Sequence, residues 1–135
     1  MGKIIIYTDG GSRGNPGKAA IGVVIGEKKY GEAIGTTTNN VAEYQAVVFA
    51  LKKAKQLLGK EKAKEAELEV RMDSELVYSQ LTGRYKVKEE SLFPLFIDIW
   101  NLKQEFKKVE FVHVLREKNK EADKLVNQAL DGLLF

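Results

Sequence analysis

The sequence predicts an α/β domain in which a five-stranded mixed sheet carries helices on both faces. Residues 4–36 hold three strand-like runs separated by glycine-rich turns, and residues 41–133 alternate helical and strand periodicity. Three consecutive strands followed by strand–helix alternation indicate a sheet that is antiparallel at first and parallel later. No linker or repeat divides the chain, so we expect residues 1–135 to form a single domain.

The first half of the chain is predicted to form three strands and one long helix. Residues 4–7 are apolar and β-branched or aromatic, and Asp9-Gly10-Gly11 predicts that this strand ends in a turn. Residues 11–17 are predicted to be a loop, and residues 19–25 and 29–36 the next two strands. Apolar residues then recur at helical spacing from Val41 to Leu58, and Gly59 ends the helix.

The second half is predicted to alternate strands and helices. After a charged connector, apolar and charged residues alternate over residues 67–72 as in a strand that ends at Asp73, and Ser74 begins a short helix. Residues 91–106 form an amphipathic helix, where we expect Trp100 to pack into the core. Residues 109–115 form the fifth strand, with His113 inside it as a structural residue. Apolar positions up to Leu133 indicate a final helix.

Composition excludes several classes of protein. The chain has no cysteine and one histidine, which rules out disulfide scaffolds, zinc–thiolate sites, iron–sulfur clusters and thiol nucleophiles. No apolar run approaches the roughly 18 residues of a membrane span, and the N-terminal residues lack the pattern of a secretory signal. We therefore expect a cytoplasmic protein with no membrane partner. Its net charge of +3 suits an anionic partner.

Four acidic residues stand where predicted apolar segments end or begin. Asp9 and Asp73 follow two strands whose C-terminal ends are expected to share one crevice. Glu43 and Asp123 lie in the first turns of two predicted helices. Apolar residues follow Glu43 by three, four and seven positions, and follow Asp123 by three and seven positions, so both acids are expected to face the protein. Converging carboxylates repel one another unless they are protonated or bind cations. Oxygen ligands without His or Cys favour Mg²⁺ or Mn²⁺, and two such ions are typical of phosphodiester cleavage.

Each acid also has a purely structural interpretation. Asp9 with Gly10 is typical of a turn, and Asn40 with Glu43 has the spacing of a capping box. Asp73 is placed to cap a helix, and Asp123 to interact with a helix dipole. Only the functional interpretation explains why all four share the same type of position.

Four segments resemble the motifs of type 1 ribonuclease H, in the order in which that family carries them. They are YTDGGSRGNPG at residues 7–17, TNNVAEY at 38–44, DS at 73–74 and REKNKEAD at 116–123, the last in the form of the short, archaeal-like members. The resemblance implies a ribonuclease H-like fold and an endonuclease that hydrolyses the RNA strand of RNA–DNA hybrids, leaving 5′-phosphate and 3′-hydroxyl ends. Each motif alone is weak, but four in order over nearly the whole chain are specific.

The resemblance also implies roles for individual residues. Asp9 would bridge two Mg²⁺ ions, Asp123 would help to hold the ion that activates water, and Glu43 and Asp73 the ion at the leaving oxygen. Family positions that line the RNA strand are matched by Gly11, Asn15, Asn39 and Asn40, and Thr38 matches a contact to a DNA phosphate. These four polar residues are also typical of turns and helix caps.

The sequence departs from the longer family members in two places. Where many of them carry a histidine in a loop before the last aspartate, this chain has Arg116, which is a candidate for phosphate binding or product release and equally a surface arginine. The basic insertion after the third motif is absent. A short loop with Arg84, Tyr85, Lys86 and Lys88 is its nearest substitute.

The same residues bear on three competing functions. A P-loop is excluded because the spacing from Gly11 to Gly17 is one residue too long and Ala19 replaces the Ser or Thr. A non-catalytic nucleic-acid-binding module would be expected to lose some of the four acids. A nuclease that also cleaves double-stranded RNA remains open, because carboxylates hold metals and do not read sequence. We expect a monomer, and residues 133–135 form an apolar C-terminus of unassigned role.

Overall fold

The structure is a computed structural model and describes residues 2–132. The five strands are β1 (Ile4–Gly14), β2 (Gly17–Ile25), β3 (Lys28–Thr37), β4 (Glu67–Met72) and β5 (Lys108–His113). The helices are α1 (Asn39–Leu58), α2 (Lys60–Ala63), α3 (Glu75–Leu81), α4 (Phe93–Lys103) and α5 (Lys120–Leu130), with single 3₁₀ turns at Glu90–Leu92 and Arg116–Lys118. The sheet order is β3-β2-β1-β4-β5, with β1, β2 and β3 antiparallel and β1, β4 and β5 parallel. The predicted fold class is confirmed.

The two faces of the sheet are covered by different helices. The main core lies between the sheet and α1, where Ile6, Tyr44, Leu51 and Val70 are fully buried. On the opposite face α5 packs Val126 and Ala129 against β2. Burial of this kind contributes about 1.5–3 kcal/mol for each large aliphatic side chain.

The first strand is longer than predicted. It continues through Gly14, so that Asp9 pairs with Gly22 in the middle of a β-hairpin and only Asn15 and Pro16 form the turn. Two glycines of this hairpin are needed for close packing. A side chain at Gly10 would overlap the backbone of α1, and one at Gly22 would overlap the backbone of α5.

The C-terminal part of the chain differs from the prediction at two residues. His113 does not lie in the interior of the fifth strand. It is the last residue of β5 and is exposed, because β4 ends at its pairing partner Met72. Trp100 is 55% exposed, since α4 buries Ile99 and turns Trp100 outward. Leu133, assigned to the last helix, lies outside the described residues.

No helix within residues 2–132 is both long enough and apolar enough to cross a membrane.

Candidate active site

Two of the four predicted acids meet because of strand register. The parallel pairing of β1 with β4 ends at Tyr7 and Arg71. Asp9 and Asp73 each lie two residues further along the chain, Asp9 within β1 and Asp73 directly after β4. They therefore reach the same edge of the sheet from neighbouring strands. Asp9 is buried and only 7% exposed, whereas Asp73 is half-buried.

Helix α1 brings a third carboxylate to this edge. Gly10 leaves room for the first turns of α1 to lie directly on β1, which places Glu43 beside Asp9. One carboxylate oxygen from each of Asp9, Glu43 and Asp73 lies within 4.8 Å of the other two. The predicted convergence of these three acids is therefore present in the fold.

The capping-box interpretation of Glu43 is wrong. The residue that caps α1 is Thr38, whose Oγ1 accepts a hydrogen bond of 3.2 Å from the backbone N–H of Val41. Asn40 already lies inside the helix, so Glu43 is too far along it to complete a box. Its carboxylate faces Asp9 and not the backbone of the first turn.

The electrostatics of the cluster disfavour negative charge. Burial, followed by the charge of Asp73, raises the pKa of Asp9 to about 7. Burial, followed by the charge of Asp9, raises the pKa of Glu43 well above its usual range. The backbone N–H of Gly10 opposes both shifts by hydrogen bonding to the carboxylates. A proton shared between Asp9 and Glu43, or a cation, relieves the repulsion.

Asp123 lies in the same cleft but outside this three-carboxylate cluster. It is exposed in the first turn of α5, and its charge contributes to the raised pKa of Asp9. The four acids are thus arranged as a tight group of three and a fourth that is more open to solvent. The site offers only oxygen donors, and its ionised carboxylates repel one another unless positive charge is added. These two properties fit a hard divalent cation.

The cleft has a volume of about 420 Å³ and holds most of the predicted binding residues. The four acids line it, together with Gly11, Asn39, Asn40 and Arg116, and so do Ser12 and Arg13, which were not singled out from the sequence.

Asn15 and Thr38 are not among the described residues that line the cleft, but both make hydrogen bonds to the start of α1. The Oδ1 of Asn15 accepts a 2.9 Å hydrogen bond from the backbone N–H of Asn39. The Oδ1 of Asn39 in turn accepts from the backbone N–H and hydroxyl of Ser12, at 2.9 and 3.1 Å. The start of α1 is thereby joined to the β1–β2 hairpin.

Besides Ser12 and Arg13, sequence reasoning missed a buried residue that supports the site. Asn119 is 1% exposed, and its Nδ2 donates hydrogen bonds to the Thr8 carbonyl at 2.9 Å and to Asp73 Oδ2 at 3.0 Å. It therefore fixes the orientation of the Asp73 carboxylate. The available signal was an asparagine just before the last helix, which is also the usual signal of a helix cap. Its side chain makes no capping hydrogen bond.

Replacing Asn119 by alanine should impair both stability and catalysis. The Thr8 carbonyl and Asp73 would each lose a buried partner, which costs about 1–3 kcal/mol in the free energy of unfolding. By analogy with residues that orient metal ligands, we expect activity or metal affinity to fall about 10–100-fold. Urea unfolding and a calorimetric titration of the protein with a divalent cation measure stability and metal affinity.

The control for this prediction is Asn101→Ala, which removes an exposed asparagine from α4. A second variant, Asn119→Asp, keeps the size and places a carboxylate beside Asp73. It should be at least as inactive as the alanine variant. An unchanged affinity for the divalent cation in both variants would show that Asn119 does not position Asp73.

The chain matches one protein family and several named relatives. The family described as reverse transcriptase-like matches residues 7–129. A bifunctional protein of Mycobacterium tuberculosis is 40% identical over 96% of this chain, and ribonuclease HI of Halobacterium salinarum is 39% identical over 96%. A ribonuclease H of Clostridium botulinum is 32% identical over 97% of both chains. This chain spans 36% of the mycobacterial relative and 65% of the halobacterial one.

Solved structures show the same similarity. The structure of LC11-RNase H1 in complex with an RNA/DNA hybrid superposes with a TM-score of 0.91 and 49% identity, over 98% of this chain and all of that one. RNase H1 of Halobacterium salinarum superposes with a TM-score of 0.87 and 38% identity, over 97% and 99% of the two chains.

Proposed function

Because the chain belongs to the type 1 ribonuclease H family, in its short, archaeal-like form, we propose that it hydrolyses the RNA strand of RNA–DNA hybrids. The reaction is metal-dependent and leaves 5′-phosphate and 3′-hydroxyl ends. The observation that carries the proposal is the cluster of Asp9, Glu43 and Asp73, with oxygens within 4.8 Å of one another. Burial and mutual repulsion make these three carboxylates costly to ionise, and bound divalent cations explain why they lie so close together.

We propose Mg²⁺ as the cation, with two ions per site and Mn²⁺ as a substitute. Asp9, Glu43 and Asp73 supply the oxygen donors on the buried side, and Asp123 supplies one from the open side of the cleft. When bound, the ions activate water and stabilise the attacking and leaving oxygens of a phosphodiester. Asn119 keeps Asp73 directed into the cleft, and the backbone N–H of Gly10 supports Asp9 and Glu43.

The rim of the cleft is suited to an RNA strand. Asn39 and Asn40 supply amide donors and acceptors, which a 2′-hydroxyl requires. Gly11 presents backbone without a side chain, and Arg116 supplies a cation that pairs with phosphate. Asn15 and Thr38 hold the start of α1 in place. That LC11-RNase H1 has been crystallised with an RNA/DNA hybrid supports the same substrate class. The monomeric state and cytoplasmic location remain predictions.

The experiment that tests the function compares three labelled substrates. RNA–DNA hybrid, duplex RNA and duplex DNA of one sequence are incubated with the protein in Mg²⁺ or in EDTA. We expect cleavage of the RNA strand of the hybrid with Mg²⁺, and no cleavage in EDTA or of duplex DNA. Intact hybrid would refute the proposed function, and cleavage of duplex RNA would extend the substrate class.

A further inference from the structure

A second surface lies along the free edge of the sheet. β5 pairs only with β4 within the described residues, so its outer edge carries unpaired backbone groups. The backbone N–H groups of Lys108 and Val114 donate to Ala66 and Met72, on the β4 side. Because residues of a parallel strand alternate between its two edges, Val109 and Phe111 direct their N–H and carbonyl groups outward. Such an edge is a template for an added strand.

A groove runs beside this edge. It has a volume of about 580 Å³ and is lined by residues 108–111 on one side and by Phe96, Trp100 and Lys103 of α4 on the other. Successive side chains of a strand point to opposite faces. A groove that touches four successive residues therefore follows the edge of β5 and does not lie on one face of the sheet.

The groove continues over an apolar surface. A neighbouring groove of about 520 Å³ shares Gly83 and Phe96 with it and is lined by Phe93, Ile97 and Tyr85. Phe93, Ile97 and Trp100 are 44%, 54% and 55% exposed. Their spacing of four and three residues places them on one side of α4. A contiguous exposed apolar surface of this kind is typical of an interaction site.

The rim of the groove is positively charged. The Nζ of Lys103 lies 5.5 Å from the ring centroids of both Trp100 and Phe111, over the groove. Lys107 and Lys108 are exposed at the start of β5. Within residues 2–132 no salt bridge joins these three lysines to a carboxylate, whereas the nearby Glu110 is paired with Lys3 at 3.0 Å. The charge of the rim favours a partner that carries carboxylates.

We propose that the outer edge of β5 and the groove beside it form a docking site for an extended, acidic and apolar segment of a partner protein. The segment adds a strand to β5 through the free backbone groups of Val109 and Phe111. Its apolar side chains contact Phe96 and Trp100, and its carboxylates pair with Lys103 and Lys108. Strand addition to a sheet edge with side-chain pockets is an established mode of peptide recognition.

Two other occupants fit less well. A second copy of this chain would bring two lysine rims together. A nucleic-acid strand would pair with the lysines and stack on Trp100, but it would leave the free backbone edge of β5 unused. The site lies outside the carboxylate cleft, so the proposal stands independently of the hybrid-cleaving function.

Fluorescence anisotropy with three labelled peptides tests the proposal on the full chain. The first is acetyl-DDVTVTFDD-amide, the second replaces each aspartate by lysine, and the third is the acidic peptide with alternate backbone amides methylated. We expect the acidic peptide to bind at least about tenfold more tightly than the other two, because each loses either several ion pairs or the strand hydrogen bonds. No binding of the acidic peptide, or equal binding of all three, would overturn the proposal.

Two variants with equal net charge locate the binding. The double variant Lys103→Glu/Lys108→Glu should lose the preference for the acidic peptide, while Lys60→Glu/Lys62→Glu on α2 should retain it. An unchanged urea midpoint shows that each variant is folded. Bound peptide should slow hydrogen exchange of the Val109 and Phe111 amides. Protection elsewhere, or equal loss in both variants, would place the peptide at another site and contradict the proposal.

The alternative occupants are tested with the same variants. A labelled oligothymidylate that binds more tightly than the acidic peptide and depends on Lys103 and Lys108 would assign the groove to nucleic acid instead. Light scattering that shows a dimer, dissociated by Trp100→Ala, would assign it to a second copy. We expect neither result.

Discussion

Replacement of Asp9 by asparagine should lower turnover of an RNA–DNA hybrid by about 10³-fold or more, equivalent to at least ~4 kcal/mol of transition-state stabilisation. Asp9 is the most buried acid of the cluster and contributes an oxygen to it. Asparagine has the same shape, but its amide is a poor ligand and carries no charge. Single-turnover cleavage at saturating Mg²⁺ measures the effect.

The same substitution should stabilise the metal-free protein at alkaline pH. The pKa of Asp9 is raised to about 7 in the folded state from 3.8. The folded state therefore binds more protons than the unfolded state between these values. The stabilisation that comes from protonated Asp9 is complete below about pH 4 and is lost as the pH rises through 7. Asparagine stays neutral, so the variant should exceed the wild type in urea midpoint at pH 8, and the difference should shrink towards pH 5.

The matched control is Asp98→Asn, which makes the same chemical change at an exposed position of α4. It should alter neither the turnover nor the pH dependence of the urea midpoint. Near wild-type turnover of Asp9→Asn would show that Asp9 is not a metal ligand in the reaction.

Glu43→Gln should have the second-largest effect, a fall in turnover of about 10²-fold or more, or ~3 kcal/mol. The substitution keeps the size of the side chain and removes its charge, and α1 retains the Thr38 cap. Little loss of stability is therefore expected. Cleavage rates and urea unfolding on one preparation separate the two quantities, with the exposed Glu61→Gln on α2 as control. Retained turnover combined with a large loss of stability would mean that Glu43 serves the helix.

Much of the site was predictable because its parts depend on local pattern. Alternation in residues 67–72 places Asp73 at the end of β4, and the helical spacing after Val41 turns Glu43 towards the sheet. The position of Asp9 was predicted for a partly wrong reason. Glycines 10 and 11 indicated the end of a strand, whereas β1 continues and the parallel pairing with β4 is what ends.

The features that sequence reasoning missed depend on tertiary packing. Asn119 looks like a helix cap, and only the folded chain brings it against Asp73, 46 residues away. Trp100 was expected in the core because it falls near the apolar stripe of α4, with Phe93 and Phe96. Its spacing alone does not show which side of α4 is buried. The sheet edge beside it is exposed because, within residues 2–132, no strand pairs with the outer side of β5.

Calorimetric titration of Mg²⁺ into the protein at pH 7, in two buffers of different ionisation enthalpy, tests the central claim most directly. Burial and the neighbouring carboxylates raise the pKa values of Asp9 and Glu43, which favours their protonated forms in the metal-free protein. Metal binding at pH 7 should therefore release protons. Asp9→Asn should release fewer protons and bind Mg²⁺ more weakly. Absence of Mg²⁺ binding, or binding without proton release, would contradict the view that these carboxylates are assembled to hold a cation.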